Sequence, residues 1–311
     1  MFLTGFADEA ATDIAGQIRA TRALGWNWIE SRRANGGNIH DIPDAEFEQV
    51  VAALEASGVG INCIGSAIAN WGTPVDQPFE RTLAETARVI PRMRRLGTSM
   101  IRIMSFAVRR DAEGRMLPDQ MEAERFRRLN ELVPRFRDAG IIPVHENCMN
   151  YGGLGWRYTL RLLDAVPGLE LVFDTGNPTH SDDANPLLEG RPFTPGVKQS
   201  SWEFYRQVRE RVVYVHIKDG RIGPDGVHVH TWAGEGAGDV RRIVADLLAR
   251  GYDGGFSMEP HLAVVHHDPS ITSPDEIRFA NYVEYGRRFE RLLGEVRAEV
   301  RAAAAAANAA R

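Results

Sequence analysis

Four acidic or imidazole side chains follow four apolar runs in the second half of the sequence. They are Glu146 in HEN (145–147), Asp174 in DTGN (174–177), His216 in VHIKD (215–219) and Glu259 in MEPH (258–261). Three carboxylates packed beside an apolar core would repel one another unless a positive charge lay among them, and a divalent cation is the simplest such charge. Oxygen-rich ligation with one imidazole suits Mn²⁺, Mg²⁺, Co²⁺ or Zn²⁺. We therefore predict that these four residues bind a metal ion.

Each residue taken alone has a plainer interpretation. A single Asp or Glu at the end of a strand is usually a solvated loop residue or the N-cap of the next helix. A single His on a strand is usually a core residue with satisfied hydrogen bonds. The prediction depends on the coincidence of four candidates at four successive strand ends, which is a stronger signal than any one of them.

Predicted helices and predicted strands alternate along the whole chain. Amphipathic stretches with apolar residues at i, i+3 and i+4 predict helices, and short apolar runs between them predict strands. The eight predicted strands are Phe2–Phe6, Trp26–Ile29, Val59–Ile64, Met100–Met104, Ile141–Val144, Leu169–Phe173, Val212–Ile217 and Gly255–Met258. Such alternation favours an α/β fold with a parallel sheet, in which catalytic side chains gather at the carboxyl ends of the strands.

The absence of a composition break favours a single (β/α)₈ barrel over two domains. We place the barrel at residues 1–301 and an Ala-rich tail at 302–311, which either extends the last helix or frays. An open doubly wound sheet is the structural alternative. It lacks its expected nucleotide turn, because Gly5 is followed by Phe6-Ala7-Asp8-Glu9 rather than by a GxGxxG pattern.

Composition excludes several classes of protein. The chain has 311 residues, of which 43% are hydrophobic and 25% charged, as in globular proteins with a full core. A net charge of −5 gives no general attraction for nucleic acid or anionic membranes. No run approaches the roughly 18 apolar residues of a spanning helix, and the first residues lack the layout of a signal peptide. Two cysteines are too few for a disulfide scaffold, and we predict a cytoplasmic protein.

The four motifs, together with GFADE (5–9), resemble those of the sugar phosphate isomerase/epimerase family of xylose-isomerase-like TIM barrels. The resemblance covers the chain to about residue 300. It implies that Glu146, Asp174, His216 and Glu259 hold one divalent ion, for which Mn²⁺ is our first expectation. It also implies that Glu146 and Glu259 flank a bound sugar and pass protons to and from its atoms.

The chemistry expected of such a site begins with a metal chelated by a sugar carbonyl and the adjacent hydroxyl. The ion acts as a Lewis acid and stabilises the enediolate that forms when a base removes the proton α to the carbonyl. Return of the proton to the opposite face gives epimerisation, and return to the adjacent carbon gives isomerisation. Where the β-substituent is a good leaving group, the same intermediate expels it instead.

A longer run, HENCMNYGGLGW (145–156), is similar to the catalytic α subunit of C-glycoside deglycosidases, a branch of the same superfamily that acts on 3-oxo-glycosides. This resemblance implies a carbon–carbon lyase that releases an aglycone, with a small β subunit as partner. It also implies that His145 serves as a catalytic acid or base. Side chains alternate along a strand, so His145 faces outward if Glu146 faces inward, unless the strand has already bent into its loop.

Weaker candidates surround these motifs. His180, Lys218, Arg221 and Trp71 are predicted to contact the substrate, although loop or surface positions explain each of them equally simply. The glycine-rich run at 234–238 is either a phosphate cradle or the entry to a helix. Four further histidines are either additional ligands or loop residues: His228, His230, His266 and His267.

A metal-dependent sugar isomerase or epimerase is thus the first functional prediction, and the deglycosidase subunit is the alternative. A metal-dependent nuclease on the same barrel would need more histidines at the mouth and a basic surface, and a non-enzymatic sugar-binding protein would show no turnover. The expected ligand is a small sugar or glycoside, with no nucleic acid and no membrane. We also expect an oligomer.

Overall fold

A computed structural model describes residues 1–264 and 273–309 of the chain. Eight parallel strands form its central sheet. They are β1 (Phe2–Gly5), β2 (Trp28–Ser31), β3 (Gly60–Gly65), β4 (Met100–Ile103), β5 (Ile142–Glu146), β6 (Glu170–Asp174), β7 (Val212–Ile217) and β8 (Gly255–Met258). The strands are hydrogen-bonded in the order β1-β8-β7-β6-β5-β4-β3-β2, and a parallel bridge between Phe6 and Glu30 joins the two ends. The predicted (β/α)₈ barrel is confirmed.

Helices connect the strands and cover the outside of the barrel. They are α1 (Ile14–Ala23), α2 (Asp44–Ser57), α3 (Glu80–Leu96), α4 (Glu122–Asp138), α5 (Trp156–Ala165), α6 (Asn185–Leu188), α7 (Ser201–Val208), α8 (Val240–Ala249) and α9 (Asp275–Ala309). Helix α3 ends where Gly97 adopts the left-handed conformation with φ of 68°, which a residue without Cβ does at little cost. The Ala-rich segment continues α9 through Ala309 and is exposed.

Strand residues alternate between two apolar layers. On the inner face, Cys63, Val144, Val172 and Tyr214 form a small cluster inside the barrel. On the outer face, residues such as Phe173 and Val215 belong to the larger core beneath the helices. Because side chains repeat every second residue, the inward-facing positions after Val144, Val172 and Tyr214 are 146, 174 and 216. The apolar cluster is therefore the floor on which the predicted ligands lie.

Two short hairpins follow barrel strands at the carboxyl end. The first pairs Arg33–Ala34 with Gly37–Asn38, and the second pairs Gly220–Ile222 with His228–His230. The segment after β7 is thus partly ordered into antiparallel structure, and the chain reverses near Gly226, where φ is 79°. Within the described ranges, no helix is both long and apolar enough to cross a membrane.

Candidate active site

The structure brings together the four predicted metal ligands from four neighbouring strands. Glu146 ends β5, Asp174 ends β6, His216 lies near the end of β7, and Glu259 directly follows β8. One ligand atom from each lies within 4.8 Å of those of the other three, and all four side chains are buried. We call these four residues the ligand cluster.

Three cationic side chains balance the carboxylates of the ligand cluster. Arg102 Nη1 lies 2.8 Å from Glu146 Oε2, Lys218 Nζ lies 2.7 Å from Glu259 Oε2 and 3.1 Å from Asp174 Oδ2, and Arg32 Nη1 lies 2.7 Å from Glu259 Oε1. Burial by itself would raise the pKa of Glu146 and of Glu259, but the neighbouring positive charges hold both pKa values well below the usual range. The two glutamates are therefore ionised at neutral pH.

The pKa of Asp174 is shifted in the opposite direction from those of Glu146 and Glu259. Burial, together with the charges of Glu259 and Glu146, raises its pKa to about 6, although the ammonium group of Lys218 opposes this shift. One of its oxygens, Oδ1, accepts hydrogen bonds from the backbone N–H groups of Gly176 and Asn177 at 2.8 and 2.6 Å. These bonds fix the carboxylate so that Oδ2 faces the other members of the cluster.

His216 is oriented by a carboxylate that the sequence analysis does not identify. Its Nε2 lies 3.1 Å from Glu30 Oε2, and Tyr214 donates a 2.8 Å hydrogen bond to the same oxygen. Its other nitrogen, Nδ1, has no hydrogen bond and lies 3.7 Å from Glu146 Oε1 and 4.0 Å from Asp174 Oδ2. Burial disfavours the imidazolium, but Glu30 and Glu146 outweigh this effect and raise the pKa of His216 to about 10.

The donor set fits a divalent cation. The cluster offers oxygens from three carboxylates, and the Nδ1 of His216 points at them while Glu30 holds the opposite nitrogen, as carboxylates commonly do for metal-binding imidazoles. A second trio, Glu9, Glu259 and His261, also has ligand atoms within 4.8 Å of one another. There, Arg32 already contacts Glu9 at 3.4 Å and Glu259 at 2.7 Å, so that trio has a resident cation.

A cavity of about 600 Å³ opens above the ligand cluster at the carboxyl ends of the strands. Glu146, Glu259 and Lys218 line its base. Trp71, Met104, Cys148 and Met149 contribute apolar surface, and His180, His228, His230 and His261 contribute imidazoles. Of the predicted substrate-contacting residues, the structure places His180, Lys218 and Trp71 in this cavity. His266 and His267 lie outside the described residues.

Comparison with known proteins agrees with this architecture. A family model described as "Xylose isomerase-like TIM barrel" matches residues 18–280. The chain belongs to the xylose isomerase-like TIM barrel family. A comparison of the sequence with curated proteins finds no match.

Solved structures similar to this xylose isomerase-like barrel share its fold at low sequence identity. A xylose isomerase-like TIM barrel protein from Mycobacterium smegmatis in complex with magnesium is 20% identical, with a TM-score of 0.65 over 91% of this chain and 89% of that chain. A D-tagatose 3-epimerase-like protein is 15% identical, with a TM-score of 0.67 over 96% and 100%. A D-psicose 3-epimerase solved in the presence of D-fructose is 14% identical, with a TM-score of 0.63 over 94% and 100%.

Two predicted site residues of this xylose isomerase-like barrel lie away from the cavity. Alternation along β5 turns His145 outward, where its Nε2 lies 3.0 Å from Ser105 Oγ and 2.8 Å from Asn150 Oδ1. Arg221 is exposed on the second hairpin and donates a 3.3 Å hydrogen bond to the carbonyl of Glu235. Neither side chain lines the space above the ligand cluster.

The burial of His145 leads to a prediction about acid stability. Burial lowers its pKa from 6.5 to about 4, so the folded protein resists protonating it while the unfolded chain does not. The resulting stabilisation is complete above pH 6.5 and is lost as the pH falls toward 4, by about 3 kcal/mol. Between pH 6.5 and pH 4, we expect the unfolding free energy of the wild type to fall by this amount relative to that of His145→Gln. Urea titrations of the two chelator-treated proteins measure the change. Parallel pH profiles for the two proteins would contradict the assignment.

The glycine-rich run at 234–238 forms an anion cradle, but the anion is supplied by the chain itself. The buried carboxylate of Asp219 accepts hydrogen bonds of 2.8 to 3.0 Å from the backbone N–H groups of Gly220, Gly234, Gly236 and Gly238. A Cβ at 236 or 238 would collide with this carboxylate, which explains the glycines. These amide groups are therefore not available to a phosphate.

We expect Asp219→Asn to destabilise the protein by about 2–3 kcal/mol, because the neutral side chain loses charge-assisted bonds and brings an NH₂ group toward backbone donors. Denaturant unfolding monitored by circular dichroism measures the change. Asp225→Asn is the matched control, since the Asp225 side chain is exposed in the turn of the second hairpin and accepts one 3.0 Å bond from Val227 N. Equal effects of the two substitutions would contradict the anchoring role of Asp219.

Charged residues inside predicted apolar strands are the signal that could have revealed the missing site residues. Glu30 directly follows the predicted second strand and lies within the observed one, Arg102 lies in the middle of the predicted fourth strand, and both side chains are buried. A charge on a buried strand requires a partner of opposite sign. Their sequence positions therefore indicate paired groups, although only the fold shows that the partners are His216 and Glu146.

Proposed function

We propose that this barrel is a divalent-metal-dependent sugar isomerase or epimerase that moves a proton on the carbon α to a sugar carbonyl. The observation that carries the proposal is the ligand cluster itself. Two ionised glutamates, Glu146 and Glu259, lie beside Asp174 and His216 at the base of a cavity large enough for a sugar. The similar structures support it, since they include a protein in complex with magnesium, a D-psicose 3-epimerase and a D-tagatose 3-epimerase-like protein.

Within the ligand cluster, the two glutamates carry out the proton transfer. A bound divalent cation supplies the positive charge that makes the proton α to a carbonyl more acidic. One glutamate removes that proton to form a carboxyl O–H bond, and the C–H electron pair moves toward the carbonyl oxygen. For isomerisation, the glutamate that has taken the proton gives it to the neighbouring carbon. For epimerisation, the other glutamate first takes a proton from water or from a substrate hydroxyl group and gives it to the opposite face of the same carbon.

Contacts on each glutamate keep it in position for this role. Glu146 accepts hydrogen bonds from Arg102 Nη1 at 2.8 Å and Asn177 Nδ2 at 2.9 Å, while Lys218 and Arg32 each contact one oxygen of Glu259 at 2.7 Å. These bonds hold both side chains in single orientations at the base of the cavity. Preorganised groups of this kind need no rearrangement during proton transfer.

The elimination alternative, release of an aglycone from a 3-oxo-glycoside, draws support from the apolar side of the cavity. Trp71, Met104, Cys148 and Met149 offer surface against which an aromatic aglycone can pack. The outward position of His145 counts against it, because the resemblance to deglycosidases assigns the acid or base to that residue. We therefore retain elimination as the second candidate.

Hydrogen exchange tests the proposal directly. Protein loaded with Mn²⁺ is incubated in D₂O with a panel of ketoses and 3-oxo sugars, and loss of the C–H signal is followed by proton NMR. We expect exchange with at least one sugar and none after chelation. Absence of exchange throughout the panel would overturn the proposal. Release of an aromatic aglycone from a 3-oxo-C-glycoside, assayed with and without a small β subunit, would instead select elimination.

Manganese as the native ion, the cytoplasmic location, the oligomer and the β-subunit partner all remain predictions. The nuclease alternative needs additional histidine ligands at the mouth, and within residues 1–264 and 273–309 His180, His228 and His230 belong to neither of the two groups with metal-binding geometry. The net charge of −5 also disfavours a nucleic-acid partner.

A further inference from the structure

Three imidazoles form a continuous surface on one side of the cavity. The ring centres of His180 and His228 are 4.7 Å apart, and those of His228 and His230 are 4.8 Å apart. We call these three residues the histidine wall. His228 and His230 belong to the second hairpin, which Asp219 anchors through Gly220 and the glycine-rich run.

The histidine wall extends to the ligand cluster. The ring centre of His230 lies 5.0 Å from that of His261, and His261 Nε2 lies 3.5 Å from Glu259 Oε1. All of these residues line the same cavity. A sugar whose carbonyl end reaches the ligand cluster can therefore place its remaining hydroxyl groups beside the wall.

Two of the wall residues, His228 and His230, are uncharged at neutral pH. Burial and the nearby positive charges of Lys218 and Lys198 lower the pKa of His228 to about 4. Burial, His261, Lys218 and the other two wall residues lower the pKa of His230 as well. A neutral imidazole presents one N–H donor and one nitrogen acceptor, and a sugar hydroxyl group also both donates and accepts. In His228, Nε2 lies 3.0 Å from Thr179 Oγ1, which leaves Nδ1 for a sugar hydroxyl group.

Among the described residues, the lysine and arginine side chains that line the cavity already have partners. Arg32, Arg102 and Lys218 are each within 2.8 Å of a carboxylate oxygen, and the amides of the glycine-rich run bind Asp219. Arg33, also in the lining, donates to the carbonyl of Gly36. A phosphate group brings close to two negative charges and binds best to cations that have no other partner. An uncharged sugar needs no such cation.

We propose that the histidine wall binds the distal hydroxyl groups of an unphosphorylated sugar and selects it over the corresponding sugar phosphate. The inference rests on the proposed function for the reaction itself, but the binding it describes is measured independently of turnover. It makes His228 and His230 specificity-determining residues, whose side chains act on substrate affinity rather than on proton transfer.

Calorimetry on the Mn²⁺-loaded protein tests this inference with D-fructose, D-psicose and their 6-phosphates, and with hexitols that lack a carbonyl. We expect each phosphate to bind at least about tenfold more weakly than its parent sugar. His228→Phe and His230→Phe keep a ring but remove its nitrogens, so each should weaken binding of the free sugar by about tenfold, the equivalent of one or two lost hydrogen bonds. In the exchange assay they should raise KM and leave kcat within about threefold.

Val229→Phe is the matched control, because Val229 lies between the two histidines on the same hairpin but is exposed outside the cavity. Val229→Phe should change neither Kd nor KM. His230→Asn should recover part of the affinity for the free sugar that His230→Phe loses. Four results would each overturn the inference. The first two are tighter binding of a phosphate than of its parent sugar and unchanged sugar affinity in both Phe variants. The others are no binding of any free sugar, and a wild type that binds a second equivalent of metal which His228→Phe loses. Sugar binding at the wall without exchange would refute only the proposed reaction.

Discussion

Glu146→Gln and Glu259→Gln are each expected to lower the rate of substrate hydrogen exchange by about 10³-fold or more. The substitution removes an ionised carboxylate that acts in proton transfer, a contribution of typically 10²–10⁴-fold, and it also removes one charge that attracts the cation. The shape of the side chain is nearly unchanged, so Arg102 and Asn177 keep an acceptor at position 146. Proton NMR in D₂O at saturating Mn²⁺ measures the rate.

Metal analysis of the same samples separates the two causes. A variant that retains one equivalent of Mn²⁺ but no exchange has lost its base, whereas one that also loses the ion has lost a ligand. Glu170→Gln is the control, because Glu170 begins β6 at the opposite end of the barrel strand and pairs with Arg137 at 2.9 Å. Retention of more than a tenth of wild-type exchange by both site variants would remove the glutamates from the mechanism.

Lys218→Met is expected to have opposite effects on the metal-free and metal-loaded protein. Lys218 Nζ lies between Glu259 and Asp174 at 2.7 and 3.1 Å, and all three side chains are buried. Its removal leaves uncompensated negative charge, so the chelated protein should lose about 3–5 kcal/mol of unfolding free energy. The same change removes a positive charge that repels the cation, and Mn²⁺ should therefore stabilise the variant more than it stabilises the wild type.

Urea unfolding with chelator and with a fixed excess of Mn²⁺ measures both effects. Lys198→Met provides the comparison, since Lys198 forms a partly exposed pair with Asp182 at 2.7 Å, worth less than about 1 kcal/mol. A Lys218→Met protein that keeps wild-type stability in chelator, or gains less from Mn²⁺ than the wild type does, would show that the ammonium group does not compete with a cation for the ligand cluster.

The positive charges at this site have opposite effects on proton transfer and on metal binding. Arg32, Arg102 and Lys218 keep Glu146 and Glu259 ionised within a buried site, so that a base is available at neutral pH. The same cations lower the attraction for a divalent ion. The affinity for the metal therefore depends on His216 Nδ1 and Asp174 Oδ2 as ligand atoms in addition to the carboxylates of Glu146 and Glu259.

The local pattern of the chain was sufficient to predict the barrel and the ligand cluster. The bounds of β7 and β8 are as predicted, and the strands β5 and β6 extend by one or two residues to include Glu146 and Asp174. Both successes have the same physical origin. Side chains repeat every two residues in a strand, and parallel strands end at one face of a barrel, so residue spacing alone predicts which groups meet.

Only the tertiary structure decided which partners these groups have. Glu30 and His216 are 186 positions apart, and Arg102 and Glu146 are 44 apart, so no local periodicity connects them. The histidine wall exists because a hairpin after β7 folds beside the loop after β6, and Asp219 rather than a phosphate fills the glycine-rich cradle. Hydrophobic periodicity specifies which face of an element is buried. Pairing of buried charges and placement of loops depend on residues distant in sequence, which the fold alone brings together.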